Sequence, residues 1–527
     1  MNEFTCMTTA VAFALTLGGT PTIASAAEPA VKGPESVEDW YMQGQRFIRQ
    51  SERQEVNNRR ARNVILFVGD GMGISTLTAA RILEGQLNGK SGEENRLSFE
   101  SFPNLALAKT YSWDQQTSDS APTMTAIITG YKAREGMLSV DHLTARGECD
   151  ATVIAQHTLP TLLEQAALAG KSTGVVSTAR LTHATPAATY AHTPVRDWES
   201  DSDLNAFFAA RVATCRANGV TLVKDIARQL IEVSPAVKAS LKVAMGGGRS
   251  YFLPKTANDP EYGARGRRSD GRDLTAEWLA TRGANAAYVW NRESFAAIDP
   301  AQTDYLLGLF ENSHMQYEAD RASDKAGEPS LTEMTEKAIR MLDRNRQGYF
   351  LHVEGGRIDH AHHAGNARRA LIDTIELARA VRKAYEMTDP QETLIVVTAD
   401  HSHTFTIAGY PHRGNDILGL VASVPANDGE APTKDKAADG QPYTTLGYQN
   451  GPGAVGGSPK AISRSTNLSS IDTTALDFLQ QAAVPLGSET HAGEDVATYA
   501  SGPKSHLVRG SMEQHWIYHV MKEAFGF

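Results

Sequence analysis

The chain has 527 residues, 41% of them hydrophobic and 21% charged. This is ordinary globular usage, which excludes a chain that is unfolded throughout and leaves enough apolar material for a large buried core. A formal charge of -10 with no basic stripe excludes the usual kind of nucleic-acid binder.

In chain order, the apolar run at 10–17 followed by Ala24, Ser25 and Ala26 predicts a signal peptide over residues 1–26, and hence export to a periplasm or to the outside. Residues 27–60 form an N-terminal extension whose stretch 36–57 reads as a polar amphipathic helix, packed outside the main domain or against a partner subunit. From 61 to 407 short apolar runs alternate with longer amphipathic segments. This is the pattern of an α/β fold, with helices layered on both sides of a mostly parallel sheet. Runs 63–69, 172–177, 349–353 and 393–397 are rich in Val, Ile, Leu and Phe and predict central strands. Between 408 and 485 Gly, Pro, Asp, Ser and Thr dominate, predicting a loop-rich lobe set into the domain; 486–527 returns to the core. No later stretch is long and apolar enough to span a bilayer, and the C-terminus lacks the hydrophobic tail of a lipid-anchor signal, so a soluble product is expected. Cys6 falls inside the expected signal, leaving Cys149 and Cys215 either as one disulfide in an oxidising compartment or as two thiols.

Chemistry enters at the strand ends. Asp70, Glu354 and Asp400 each close an apolar run, and ligands of open α/β sheets bind beyond the carboxyl ends of the strands. One such acid taken alone is best read as a helix cap. Three converging anions in a low-dielectric cleft call for cations. Asp359 and His363 lie four residues apart, on one face of a helix; His401 and His403 follow Asp400, and His491 lies in a later turn. Nitrogen with carboxylate suits zinc, whereas the oxygen set Asp70, Thr185 and Glu354 suits magnesium. Ser120 opens a small-residue helix, where free N–H groups favour a phosphate; from this segment alone, Ser120 or Asp119 as an ordinary N-cap is the better reading. Arg196 offers the planar guanidinium that matches phosphate oxygens, and Asp119 is placed to orient it.

The runs VGDGMG, TSDSA, THATPAATYAHTPVR, VEGGRIDHAHH, TADHSH and THAGEDV occur in this order. On them the sequence resembles the alkaline phosphatase family, especially its animal-type members, from about residue 61 onward. The resemblance implies a zinc- and magnesium-dependent phosphomonoesterase with a three-layer fold, a crown-like lobe at 408–485 and a homodimer whose interface uses the N-terminal helix and that lobe. It implies Ser120 as nucleophile and Arg196 as phosphate clamp. One zinc would be held by Asp70, Asp400 and His401, and the second by Asp359, His363 and His491. Magnesium would be held by Asp70, Thr185 and Glu354, with His183 and His360 behind the ligands. Thr185 stands where many animal-type members have Ser, and His183 where the best-known bacterial type has Asp. A calcium site of Glu261, the carbonyl of Phe310, Glu311 and Glu328 is also implied, with Glu328 where the family generally has Asp. Competing readings are a phosphodiesterase or sulfatase on the same scaffold, or a noncatalytic phosphate- or metal-binding protein. Ser120-Ala121-Pro122-Thr123 matches neither the Thr nucleophile of the diesterases nor the modified residue followed by Pro-x-Arg of the sulfatases.

Overall fold

The computed structural model describes residues 36–454 and 467–527, so the expected signal peptide lies outside the described residues. The described residues fall into two units, divided between 54 and 55. In the first, a helix over Val37–Glu52 starts at Ser36, whose hydroxyl accepts from the Asp39 amide at 3.1 Å while the Asp39 carboxylate accepts from the Ser36 amide at 3.2 Å. That reciprocal cap satisfies two of the amides a helix start leaves free. Trp40, Tyr41, Phe47 and Ile48 on this helix are exposed.

The second unit is built on a ten-stranded sheet. Its strands are β1 (Asn63–Gly69), β2 (Asn104–Lys109), β3 (Ser172–Arg180), β4 (Leu241–Gly247), β5 (Ala286–Val289), β6 (Tyr305–Leu309), β7 (Tyr349–Gly355), β8 (Thr393–Ala399), β9 (Val496–Ser501) and β10 (Gly510–Glu513). The spatial order is β10-β2-β9-β8-β1-β7-β3-β4-β6-β5. All neighbouring pairs are parallel except those that β9 makes with β8 and β2. β1, β7 and β8 are buried at every position, because helices cover both faces of a parallel sheet and the strands must be apolar throughout. Helices Leu331–Leu342 and Ala367–Met387 pack on each other and on β7, while Leu162–Leu168 packs on β3 and Trp516–Phe525 on β1. The expected mostly parallel α/β architecture is therefore present. The strand expected at 172–177 runs on to Arg180, and those at 349–353 and 393–397 each gain two residues at the carboxyl end. Those additions are where small or polar residues follow the apolar run.

His352, in the middle of β7, is fully buried with no hydrogen-bond partner on either ring nitrogen, and burial pushes its pKa down to about 3. Within 408–485 the described residues hold only short strands and one 3-10 turn. Strand Leu446–Gly451 ties this region to Phe405–Ile407 on one side and Ala482–Pro485 on the other. The returning chain pairs His491–Ala492 with Ser402–His403, which carries His491 directly opposite His403.

Candidate active site

The sheet register brings the strand-end acids together. Val68 of β1 pairs with Glu354 of β7, and Gly69 pairs with Ala399 of β8, so Asp70 and Asp400 leave adjacent strands at the same level. Asp70, Glu354 and Asp400 are all fully buried. Asp400 Oδ1 accepts from the amides of Gly71 (3.0 Å) and His401 (2.9 Å), which aims its other oxygen into the site. His401 Nε2 lies 3.3 Å from Asp70 Oδ1 and 3.3 Å from Asp400 Oδ2.

A second cup forms beside it. Asp359 and His363 sit one turn apart on the helix Arg357–His363, and Asp359 Oδ1 is 3.3 Å from His363 Nε2 and 3.3 Å from His491 Nε2. The two imidazole nitrogens are 3.1 Å apart, and the rings of His401 and His491 stack with centroids at 3.6 Å. Their outer nitrogens are anchored: His363 Nδ1 donates to the Glu489 carbonyl at 2.6 Å and His491 Nδ1 to that of Ser118 at 2.8 Å. Those bonds fix the tautomer that leaves each Nε2 lone pair facing inward.

Ser120 opens a ten-residue helix, Ser120–Thr129, whose N-cap Asp119 accepts from the Ala121 amide at 3.3 Å. Ser120 is almost fully buried, with Oγ 3.1 Å from His401 Nε2 and 3.5 Å from Asp70 Oδ1. The Arg196 guanidinium donates through Nη1 to Asp119, and its Nη2 is 2.9 Å from His183 Nε2. Asp119 thus caps the helix and orients the arginine. The result is a hydroxyl at a positive helix end, two nitrogen–carboxylate cups and a guanidinium, suited to transfer of a tetrahedral anion.

The donor sets fit divalent cations. Ligand atoms separated by 3.1–3.3 Å match the edge of about 3.3 Å expected for a tetrahedron of nitrogen and oxygen around zinc. Asp70 Oδ2, Asp400 Oδ2, Glu354 Oε1 and Thr185 Oγ1 are buried without a hydrogen-bond partner. Protein groups alone leave the acids badly solvated. Burial, then Asp400, Asp359 and Glu354, push Asp70 far above the carboxylate range, and burial lifts Glu354 to about 8 and Asp400 to about 6. Asp359 is the exception: burial would raise it, but His363, His403 and His491 hold it well below the usual value. A ligand atom of His183 lies within 4.8 Å of those of Asp70 and Glu354, so it adjoins the oxygen set.

The acids expected to hold a further cation also meet. Glu328 is pushed up to about 9 by burial and then by Glu311 and Asp324. Glu261 Oε2 accepts from Arg249 at 2.9 Å, while Glu311 accepts from Tyr262 at 2.8 Å and Gln316 at 2.6 Å. Phe310 directly follows β6 and is buried against Phe295. Asp324, with neither carboxylate oxygen hydrogen-bonded, joins this group without having been singled out in the sequence. Cys149 and Cys215 are joined by a disulfide, with Cα atoms 6.4 Å apart.

Of two further groups at the centre, the sequence marked one, His403, without giving it a role, and did not mark the other, Glu489. His403 bridges Asp359 Oδ1 (2.8 Å) and Glu489 Oε2 (2.6 Å), and although burial opposes it those two acids raise its pKa to about 9. His403 was visible in the run TADHSH. Glu489 stands just before THAGEDV, outside any metal-ligand spacing.

Comparison with known proteins bears on all of this. The family model for alkaline phosphatase matches residues 61–527. The tissue-nonspecific isozyme of alkaline phosphatase from Gallus gallus is 45% identical over 97% of this chain and 93% of its own length. Among solved structures, the Thermus thermophilus alkaline phosphatase has a TM-score of 0.60 at 24% identity, covering 90% of this chain and 93% of that one. A mutant of the TAB5 alkaline phosphatase with Mg bound in its M3 site has a TM-score of 0.57 at 21% identity, covering 89% and 99%.

Proposed function

The chain belongs to the alkaline phosphatase family and is a phosphomonoesterase, and we propose that it works through a covalent phosphoserine on Ser120 with two zinc ions and one magnesium. In this reading Asp70, Asp400 and His401 hold one zinc and Asp359, His363 and His491 the other. Asp70, Thr185 and Glu354 hold magnesium, with His183 and His360 behind them. The observation that carries the proposal is Ser120 Oγ at a helix N-terminus, 3.1 Å from His401 and 3.5 Å from Asp70. The orphaned oxygens of the acids and the magnesium of the TAB5 relative support the ion assignment. Glu261, Phe310, Glu311 and Glu328 are proposed for calcium, with Asp324 beside them.

When bound, the zinc ions supply Lewis acidity for the serine and leaving-group oxygens. Arg196 holds two nonbridging oxygens of the phosphoryl group, oriented by Asp119, and the free amides at the helix start stabilise the charge that spreads over them. Ser120 Oγ gives its proton to solvent and forms the new P–O bond while the ester P–O bond breaks in line, and the alkoxide leaves to take a proton back from solvent. Water then attacks phosphorus from the vacated side, releasing phosphate and restoring the serine. Because the protein grips the phosphoryl group rather than the alcohol, specificity is broad among monoesters, and activity rises toward alkaline pH as the serine and bound water ionise.

We further propose an exported homodimer, in which residues 27–60 and the lobe at 408–485 contribute to the interface around a core of 61–407 and 486–527. No helix among the described residues is long and apolar enough to cross a membrane. Radiolabelled phosphate trapped by acid quench tests the intermediate. Label is expected on Ser120 and absent from Ser120→Ala; full turnover by that variant rejects the mechanism.

A further inference from the structure

One cluster of ligating side chains lies beside this machinery, with two of its members behind the proposed magnesium ligands and the third outside that reading. His183, His314 and His360 each bring a ring nitrogen within 4.8 Å of the other two. The ring centroids are 4.0 Å apart for His314 and His360, 5.2 Å for His183 and His314, and 5.3 Å for His183 and His360. The three arrive from separate elements: His183 caps the short helix Ala184–Ala187, His314 lies in the loop after β6, and His360 is on Arg357–His363. All three residues are partly rather than fully buried.

Two of the three rings keep a nitrogen without a partner. Nδ1 of His183 and Nδ1 of His360 are buried with no hydrogen-bond partner. His314 is engaged on both sides, Nδ1 accepting from the Arg180 amide at 3.3 Å and Nε2 resting against Nη1 of the same arginine. That arginine is tied through its other two nitrogens to Glu199, at 2.8 and 2.7 Å, so Nη1 is the spare donor; an incoming cation displaces it from His314 Nε2 as the ring proton passes to Nδ1 and the long amide contact there is given up. Three imidazoles with open positions and no thiolate select late first-row divalent ions, with Cu2+ at the head of the affinity order, and reject the oxygen-seeking Mg2+ and Ca2+. Arg180 and Arg196 face the same rings, so this site fills after the acid-lined centre next to it.

We propose that His183, His314 and His360 form a peripheral site for Cu2+ or a similar late first-row ion, and that filling it loosens the hold of Arg196 on phosphate. The link is the His183 ring. In its present setting Nε2 lies 2.9 Å from Arg196 Nη2 and accepts its hydrogen bond, so the ring proton sits on Nδ1. A cation bound at Nδ1 moves that proton to Nε2, which turns the acceptor into a donor and sets two N–H groups against each other. Arg196 loses one of the contacts that position it. This second half rests on Arg196 being the phosphate ligand; the existence of the site does not.

The test uses enzyme fully loaded with zinc and magnesium, titrated with Cu2+. Electron paramagnetic resonance should show one equivalent of copper split by imidazole nitrogens, with zinc content unchanged by elemental analysis. KM for p-nitrophenyl phosphate should rise several-fold with kcat little changed. His314→Asn should weaken copper binding by about tenfold or more, since losing even an outer partner of a metal ligand costs that much, and should remove the KM shift while leaving the copper-free KM as it was. An unchanged copper signal in His314→Asn, or one equivalent of zinc released per copper taken up, overturns the site. Copper bound as described with KM unmoved overturns the coupling to Arg196 and leaves the site standing.

Discussion

Gly71 has φ of 69°, and a Cβ there would lie 2.3 Å from the His403 ring. Its amide also fixes Asp400. Gly71→Ala therefore combines a left-handed backbone, which costs roughly 1–2 kcal/mol for a residue with a Cβ, with a clash against a ring held between Asp359 and Glu489. A lower unfolding temperature and reduced zinc content are expected; wild-type values for both would show that the ring can move aside. His352 makes the opposite case, since its buried imidazole has no partner. His352→Leu should raise stability by about 1–3 kcal/mol, the penalty of an unsatisfied buried polar group, as measured by thermal unfolding; a loss of stability would mean that an ordered water serves the ring. At this scale the sequence was legible where a residue ended an apolar run, as Asp70 and Asp400 do. It was silent where a partner arrives from a remote segment: Glu489 meets His403 across 86 positions, and His314 joins His183 and His360 with no local spacing to betray it.

Among elements, the segment that carries Arg196 stands somewhat apart from the main core. A small apolar cluster containing Met137, Ile154, Val195, Trp198 and Val223 surrounds Cys149, whose disulfide to Cys215 closes a loop of 66 positions. A cross-link over such a loop removes about 4 kcal/mol of unfolded-state entropy. Cys149→Ala with Cys215→Ala should thus raise hydrogen exchange across 195–223 and raise KM more than it lowers kcat, because Val195 in that cluster precedes Arg196, the proposed phosphate clamp. Exchange confined to 209–217 with KM unchanged would show that the clamp is held by the main core instead. Secondary structure was readable to within a few residues for β1, β3, β7 and β8, where unbroken apolar runs leave few alternatives. The short strands around His403 and His491 were not readable, since two-residue pairings lack a period.

For the molecule as a whole, the meeting of Asp70, Glu354 and Asp400 makes stability depend on bound ions. Once a chelator has removed them, a carboxylic acid with a raised native pKa keeps its proton better folded than unfolded. Its contribution is therefore present in acid and is lost as pH climbs from the ordinary value of about 4 through Asp400 at about 6 to Glu354 at about 8. Ion-free protein should melt at a lower temperature at pH 8 than at pH 6, with the drop abolished by zinc and magnesium together. A melting temperature that rises over this interval would reject the account.

The ladder between β1, β7 and β8 has one more consequence. Spacing among the three acids is set by which residue faces which across the hydrogen bonds, Gly69 against Ala399 and Val68 against Glu354. Lengthening the chain within 425–440, among the exposed loops, leaves that alignment alone. Adding a single residue between 63 and 70 would turn every side chain beyond it to the opposite face of the sheet. The protein can therefore drift freely in the length of its periphery, while these three strands can exchange residues but cannot gain or lose one.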